Sequence, residues 1–119
     1  MSQQNDKIAP FVNYARLANF QGKQVRLICK LKNLSGPNEM KVQTTDDGEV
    51  VVTMPSTAKP TSTYLEIVGL VQESAQVKMM GYIELGDDID MKLSNDMIEQ
   101  MHRPMFWEAI YGYQSETPA

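Results

Sequence analysis

One cysteine and one histidine are the side chains best suited to nucleophilic or metal chemistry in this sequence. Cys29 alternates with Leu27 and Leu31, which gives it the position of a core residue, and buried thiols are normally inert. His102 falls near the end of a predicted helix, where an imidazole interacts favourably with the last carbonyls. A catalytic site needs partner residues that neither side chain has nearby. We therefore expect no enzymatic activity, no metal site and no cofactor.

The acidic run Asp87-Asp88-Ile89-Asp90 superficially resembles a calcium-binding loop. Such a loop also needs a central glycine and a distal bidentate glutamate, which are missing here. No glycine-rich phosphate loop precedes a helix either. We interpret the run as a solvated linker whose negative charge favours the start of the following helix.

A basic row on the first predicted strand is the candidate nucleic-acid site. Arg26, Lys30 and Lys32 point to one face, with Ile28 among them, and Lys41 on the next strand extends the patch. Alternate residues of a strand lie about 6.6 Å apart, which is close to the phosphate spacing of an extended single strand. The alternative is a solvated outer face. The lack of stacking aromatics favours that alternative, because stacking contributes about 1–3 kcal/mol per base.

The charge of the chain is unevenly distributed. Its 119 residues carry a net charge of −4, with +5 in residues 1–41 and −9 in the remainder. The isoelectric point is about 4.9, which disfavours tight autonomous binding of nucleic acid. The single cysteine indicates a reducing compartment, and no apolar run reaches the length of a membrane span or a signal peptide. We expect a soluble intracellular protein.

Five β-runs separated by turn signals lie between Gln24 and Leu85. In the first, Val25 and its alternate residues form an apolar face. The other four predicted strands are Glu39–Thr45, Glu49–Met54, Tyr64–Gln72 and Gln76–Leu85. We expect a hairpin at Asp46-Asp47-Gly48, bends at Gly69 and Gly81, and an irregular loop over Pro55–Thr63. The pattern predicts an all-β fold with a small five-stranded barrel.

Aromatic residues are absent from the second and third predicted strands. Small barrels of this kind usually hold single-stranded nucleic acid by stacking bases on aromatics in those strands. Seven of the nine aromatics flank the strand region instead: Phe11, Tyr14, Phe20, Phe106, Trp107, Tyr111 and Tyr113. The pattern indicates a barrel that does not grip nucleic acid by stacking.

The predicted domain organisation has four parts. Residues 1–9 form a disordered tail, 10–90 the barrel, 91–113 a C-terminal oligomerisation helix and 114–119 a second tail. Within the barrel unit, Asn13 is the expected cap of a short helical turn. Tyr14, Leu17 and Phe20 recur at helical spacing, and we expect them to plug one end of the barrel.

The C-terminal helix has an apolar stripe. We expect Ser94 to cap it and Pro104 to interrupt it, either as a kink or as the start of a second short segment. The stripe spans about 140° of the helix at about 100° per residue. The candidate partner-binding residues on and beyond it are Leu93, Met97, Ile98, Met101, Met105, Phe106, Trp107 and Ile110.

This stripe has two interpretations, packing on the chain's own barrel or binding helices of other chains. The strands already supply an interior for the barrel, so the partner interpretation is favoured. Methionine also repacks easily against a partner surface.

The sequence resembles the smallest subunit of replication protein A, the eukaryotic single-stranded-DNA-binding heterotrimer. The matching stretches are Val12-Asn13-x-x-x-Leu17-Ala18-x-Phe20, Val25 to Leu34, and Leu65 to Val71. The resemblance implies a five-stranded OB-fold Greek-key barrel with a C-terminal α-helix. It also implies a three-helix bundle with the large and middle subunits, roles in DNA replication, repair and recombination, and a location in the nucleus. Most DNA contacts would belong to the other subunits.

Two alternatives stay open beside this resemblance. One is the small OB subunit of a telomere-capping trimer, which shares the same combination of barrel and helix. The other is an autonomous, weak nucleic-acid-binding OB module that uses the basic row. We expect neither a membrane nor a small-molecule substrate as a partner.

Overall fold

The core of the molecule is a closed ring of five strands. The computed structural model of the chain describes residues 9–73 and 75–111. Its strands are β1 (Phe11–Val12), β2 (Gln24–Gly36), β3 (Glu39–Thr44), β4 (Glu49–Thr53), β5 (Tyr64–Val71) and β6 (Gln76–Gly86). They lie in the order β1-β2-β3-β4-β6-β5, and β5 also pairs with β2. The predicted all-β fold is confirmed, while the short parallel strand β1 beside β2 was not predicted.

Buried residues alternate with more exposed ones along the strands, and the buried set forms the interior of the barrel, as the sequence pattern predicted. Every second residue of β5 is buried, and β3 follows the same rule. Cys29 is fully buried among these residues, and its burial raises the pKa of the thiol to about 12. The thiol is therefore protonated at physiological pH, which agrees with a packing role.

Register shifts in the strand pairings shape the barrel. The pairing of β2 with β3 shifts between Leu31 and Asn33, which leaves Lys32 as an extra residue. The pairing of β5 with β6 shifts at Gly69, the bend that the sequence predicted there. A β-carbon on Gly69 would lie 2.6 Å from the carbonyl oxygen of Lys78. Only glycine therefore allows β5 and β6 to approach this closely.

A short helix closes one end of the barrel. Helix α1 (Tyr14–Leu17) continues into a 3-10 turn over Ala18–Phe20. Leu17 is 1% exposed and Phe20 packs against the core, but Tyr14 is 42% exposed and does not belong to the plug. Asn13 takes the N-cap position without making a capping bond.

The side chain of Asp46 replaces Asn13 as the cap of α1. Its carboxylate accepts hydrogen bonds from the backbone N–H groups of Tyr14 and Ala15 at 2.9 and 3.1 Å. The expected hairpin supplies this residue, and Asp47 adopts a φ of 67° in the same turn. The β3–β4 turn and the start of α1 therefore fix each other.

The C-terminal region consists of two helices rather than one. Helix α2 spans Met91–Met101 and α3 spans Pro104–Tyr111, so the expected interruption at Pro104 starts a second segment. Asp90 caps α2 by accepting a hydrogen bond from the N–H of Leu93 at 3.0 Å. Ser94, the cap predicted from the sequence, lies inside the helix. Asp90 is the preferred cap over Ser94, because a carboxylate complements the helix dipole more strongly than a hydroxyl does.

Several sequence-based expectations fall beyond this description. The tails predicted over residues 1–9 and 114–119 lie outside the described residues, apart from Ala9. None of the described helices is both long enough and apolar enough to cross a membrane.

Candidate partner-binding site

Helix α2 rests on the barrel through a polar side. Asn95, Glu99 and His102 are spaced i, i+4 and i+7, so they share one face of the helix. Asn95 accepts hydrogen bonds from Asn13 and Thr45, each at 2.8 Å. These bonds orient the helix while using none of the apolar stripe.

Glu99 is the centre of this polar contact. Arg16 donates to its two oxygens at 2.7 and 3.1 Å, and Asn13 donates to it at 2.7 Å. The hydrogen bonds from Arg16, and then that from Asn13, hold the pKa of Glu99 below its ordinary value. Glu99 is therefore a carboxylate at neutral pH that joins α2 to α1.

His102 fixes the end of α2. Its Nε2 lies 2.7 Å from the backbone oxygen of Phe11, and because a carbonyl only accepts, this nitrogen carries the proton. The ring contacts Phe20 edge-on at 6.0 Å and Trp107 at 5.2 Å between centroids. Burial is the main cause that lowers the pKa of His102. The imidazole therefore links β1, the plug of the barrel and α3. The sequence predicted an interaction with the last carbonyls of the helix, but the carbonyl that this hydrogen bond reaches belongs to Phe11 in β1.

Ile98 is the apolar anchor of α2 on the barrel. It is 2% exposed, so this member of the predicted partner-binding set is covered by the chain itself. Ile98 is covered although Met97 is exposed because the two side chains lie about 100° apart around the helix axis. Ile98 therefore does not belong to the exposed face of α2.

The rest of the stripe on α2 is more exposed than Ile98. Leu93 is 56% exposed and Met97 52% exposed, while Met101 is half-buried at the edge. We call these three residues the α2 stripe. Beyond the helix break, Met105 is 80% exposed, and Trp107 is half-buried beside His102. The side chains of Phe106 and Ile110 lie outside the described residues.

A groove runs between α2 and the outer face of the barrel. Its volume is about 90 Å³, and its lining consists of Phe11, Ile28, Ser94, Met97, Ile98 and Met101. We call it the α2–β2 groove. Phe11, Ile28 and Ser94 were not among the predicted site residues. One signal for Ile28 was present, because it is an apolar residue within an otherwise basic outer row.

The basic row is not one free surface. Arg26 lies 3.5 Å from the carboxylate of Glu66 and 5.6 Å from the ring centre of Phe11. Lys41 lies 4.0 Å from Glu49. The bulge in β2 takes Lys32 out of the alternation, and Lys30 is half-buried opposite Gln43. The four predicted cations therefore do not form a single line of unpaired charge.

Metal chemistry has no assembled site in the part of the chain that the structure describes. No group of three or more His, Cys, Asp or Glu side chains there could hold a metal ion. The acidic run after β6 instead fixes a loop, since Asp87 accepts two hydrogen bonds from Thr63, at 2.8 and 2.9 Å.

Comparison with solved structures supports the fold. The chain is similar to a chain in the structure of U. maydis Replication protein A bound to ssDNA, with a TM-score of 0.80, 23% identity and coverage of 88% of this chain and 96% of that one. It is also similar to a chain of the S. pombe Stn1-ten1 complex, with a TM-score of 0.62, 12% identity and coverage of 79% and 91%. At these identities the likeness shows the OB-fold alone.

Comparison at the sequence level identifies the family. The chain is 29% identical over 87 residues to a Replication protein A 14 kDa subunit of Arabidopsis thaliana, covering 73% of this chain and 80% of that protein. The model of the family described as Replication factor A protein 3 matches residues 1–106. The chain therefore belongs to the Replication factor A protein 3 family, the smallest subunit of replication protein A, as its residue pattern predicted.

Proposed function

We propose that this chain is a structural and assembly subunit of a heterotrimeric, single-stranded-DNA-binding replication protein A complex. It supports DNA replication, repair and recombination in the nucleus. The α2 stripe, continued by the residues after Pro104, docks with one helix from each of the large and middle subunits. One observation carries the proposal: α2 is fixed to the barrel by its polar side, so Leu93 and Met97 are left facing solvent.

The energetics favour a stable complex. A standard interface covers about 800 Å² on each partner. If about half of that area on this chain is apolar, its burial contributes on the order of 10 kcal/mol before the costs of association. An apolar helix face of this kind is one that monomeric proteins rarely leave uncovered.

Direct contact with DNA is a minor part of the proposed role. Arg26 is engaged by Glu66 and Phe11, and Lys41 has Glu49 within 4.0 Å. The middle strands carry no aromatic residue for base stacking, and the chain is acidic overall. We propose that most DNA contacts of the complex are made by the other two subunits.

The test is co-expression with the large and middle subunits, followed by size-exclusion chromatography. Leu93→Asp combined with Met97→Asp should abolish trimer formation, because both side chains are more than half exposed on the face proposed to bind the partner helices. Circular dichroism of the free chain should stay unchanged. Ser56→Asp combined with Thr57→Asp adds the same charge to an exposed loop and should assemble normally. Assembly by the helix variant, or its unfolding, would overturn the proposal.

A second candidate is the small OB subunit of a telomere-capping trimer. The structural likeness to the Stn1-ten1 complex favours it as the alternative. Co-purification from nuclear extract separates the two functions. Large replication-type partners support the first, and partners restricted to telomeres support the second.

An autonomous nucleic-acid-binding module is the third possibility. It requires binding by the isolated chain that depends steeply on salt and is lost on Arg26→Glu combined with Lys30→Glu. Negligible binding of single-stranded DNA by the pure protein, measured by fluorescence anisotropy, would eliminate it.

A further inference from the structure

The α2–β2 groove has the residue spacing of a packing hole. Ser94, Met97, Ile98 and Met101 are spaced i, i+3, i+4 and i+7 along α2, and all four line the groove. In knobs-into-holes packing, four residues with this arrangement surround one side chain of the facing helix. Because Ile98 is covered by the barrel while Met97 is 52% exposed, a partner side chain would enter this groove from the side of Met97. Here the hole has a further wall, because Phe11 and Ile28 of the barrel complete its lining.

We propose that the α2–β2 groove receives one aliphatic side chain from a partner helix that lies along the α2 stripe. Phe11 and Ile28 of the barrel then contribute to the specificity for the partner helix. This inference rests on the proposed function and deepens it, because it assigns a specific receptor site beside the helical face.

The size and lining of the groove define its occupant. About 90 Å³ is smaller than the cavity of about 150 Å³ that accommodates benzene. The lining has no charged side chain, and its one hydroxyl is that of Ser94. A Leu, Ile, Met or Val side chain suits a groove of this volume and apolar lining better than a larger aromatic ring does, and a charged group would be unfavourable against this lining.

The groove and the α2 stripe form one continuous surface. Met97 and Met101 belong to both, so a helix packed on the stripe lies directly over the opening of the groove. The N-terminal end of α2 is surrounded by exposed acidic side chains, namely Asp87, Asp88, Asp90 and Asp96. A partner helix with Lys or Arg beside its aliphatic residue complements this end.

The first test fills the groove from within α2. Ser94→Leu should weaken assembly with the co-expressed large and middle subunits at least tenfold, because the new side chain occupies the hole. Ser94→Ala keeps the hole open and should leave affinity within about twofold, the scale of an ordinary surface change. Ile28→Asn, which places an amide in the barrel wall, should weaken assembly as Ser94→Leu does.

Two outcomes separate this inference from the proposed function. If Leu93→Asp with Met97→Asp abolishes the trimer while Ser94→Leu and Ile28→Asn assemble normally, the groove is empty and only this inference falls. If all of these variants assemble normally, both proposals fall.

A second measurement does not depend on filling the hole. The native thiol of Cys29 is fully buried. The Ser94→Cys substitution therefore introduces a thiol that an alkylating reagent can reach. Iodoacetamide should alkylate this position at least tenfold more slowly in the trimer than in the free chain, as followed by peptide mass spectrometry. The thiol introduced by Lys92→Cys, on an exposed position outside the groove, should react equally in both. Equal reactivity at position 94 would overturn the inference.

Discussion

The side chains of Asn13 and Glu99 lie 86 positions apart in the chain and are joined by a hydrogen bond of 2.7 Å. Asn13 is 1% exposed, and the same nitrogen also donates to Asn95 at 2.8 Å. Arg16, within α1, reinforces the contact with two hydrogen bonds to Glu99. This pair sets the rotation of α2 on the barrel, and therefore decides which face of the helix remains for partners.

Glu99→Ala should reduce the free energy of unfolding by about 1–3 kcal/mol, because a buried donor of Asn13 loses its acceptor. The ion pair with Arg16 adds less than about 1 kcal/mol, since both side chains are partly exposed. Urea unfolding measures the loss. Glu99→Gln keeps an acceptor and should cost less, and Gln100→Ala at the exposed neighbouring position should be nearly neutral. Equal stability of all three variants would contradict the assigned role of Glu99.

The contact between His102 and Trp107 should make the end of α2 sensitive to acid. Burial lowers the pKa of His102 below its usual value of about 6.5, so the unfolded chain takes up a proton first as the pH falls. The stabilisation from His102 is thus complete above about pH 6.5 and declines below it. Glu99 and Arg16 are the charged groups that also act on this imidazole.

Tryptophan fluorescence measures this transition, because Trp107 is the single tryptophan and its ring lies 5.2 Å from His102. The emission should titrate with a midpoint below pH 6.5 in the folded chain. His102→Gln should remove that step. A midpoint above 6.5, or a step that persists in the variant, would show that the two rings are not coupled.

Local patterns were sufficient to predict the barrel. The alternation of Val25, Leu27 and Cys29 places them in the core because a strand has a period of two residues. Gly69 was recognisable as a bend, since a glycine inside a strand often marks one. These features depend on neighbours within a few residues, which a sequence displays directly.

Contacts between distant segments could not be predicted in the same way. Strand β1 is formed by the pairing of Phe11 and Val12 with β2 on the far side of the intervening helix. A strand of two residues is too short to show a periodic pattern in the sequence. The stripe on α2 was recognised, but Ile98 was assigned to the partner face because hydropathy does not reveal which side touches the barrel. That choice was made by Asn95 and Glu99, whose polar partners are far away in sequence.

Gly69→Ala should destabilise the barrel by about 1–3 kcal/mol, the usual cost of overpacking. Its β-carbon would lie 2.5 Å from a side-chain carbon of Val77 and 2.6 Å from the backbone oxygen of Lys78. The backbone contact is the costly one, because β5 and β6 would have to separate. Thermal unfolding measures the effect.

Gly81→Ala is the matched control for this substitution. Gly81 lies in the same strand pairing, and a β-carbon there meets no atom within 4 Å. Its effect should stay within about 0.5 kcal/mol. If the two alanine variants were equally stable, the close approach of β5 and β6 at Gly69 would not be what the bend requires.

Glu84→Gln should loosen the loop between β4 and β5. One oxygen of Glu84 accepts hydrogen bonds from the N–H groups of Thr61 and Ser62 at 3.2 and 2.7 Å, and from the Thr61 hydroxyl at 2.8 Å. The hydrogen bonds from Ser62, and then those from Thr61, lower the pKa of Glu84, so this clamp is present at neutral pH and is lost as the pH falls through the lowered pKa. A neutral amide accepts more weakly than a carboxylate. Amide hydrogen exchange at Thr61 and Ser62 should therefore accelerate several-fold at pH 7.

The loop contains its own control for this measurement. The N–H of Thr63 is bonded to Asp87 at 2.9 Å, so its exchange should change little in Glu84→Gln. Asp88→Asn removes a neighbouring exposed carboxylate and should leave all three amides unchanged. Equal acceleration at Thr61, Ser62 and Thr63 would mean that the loop opens as one unit. In that case Glu84 and Asp87 would not act as separate anchors.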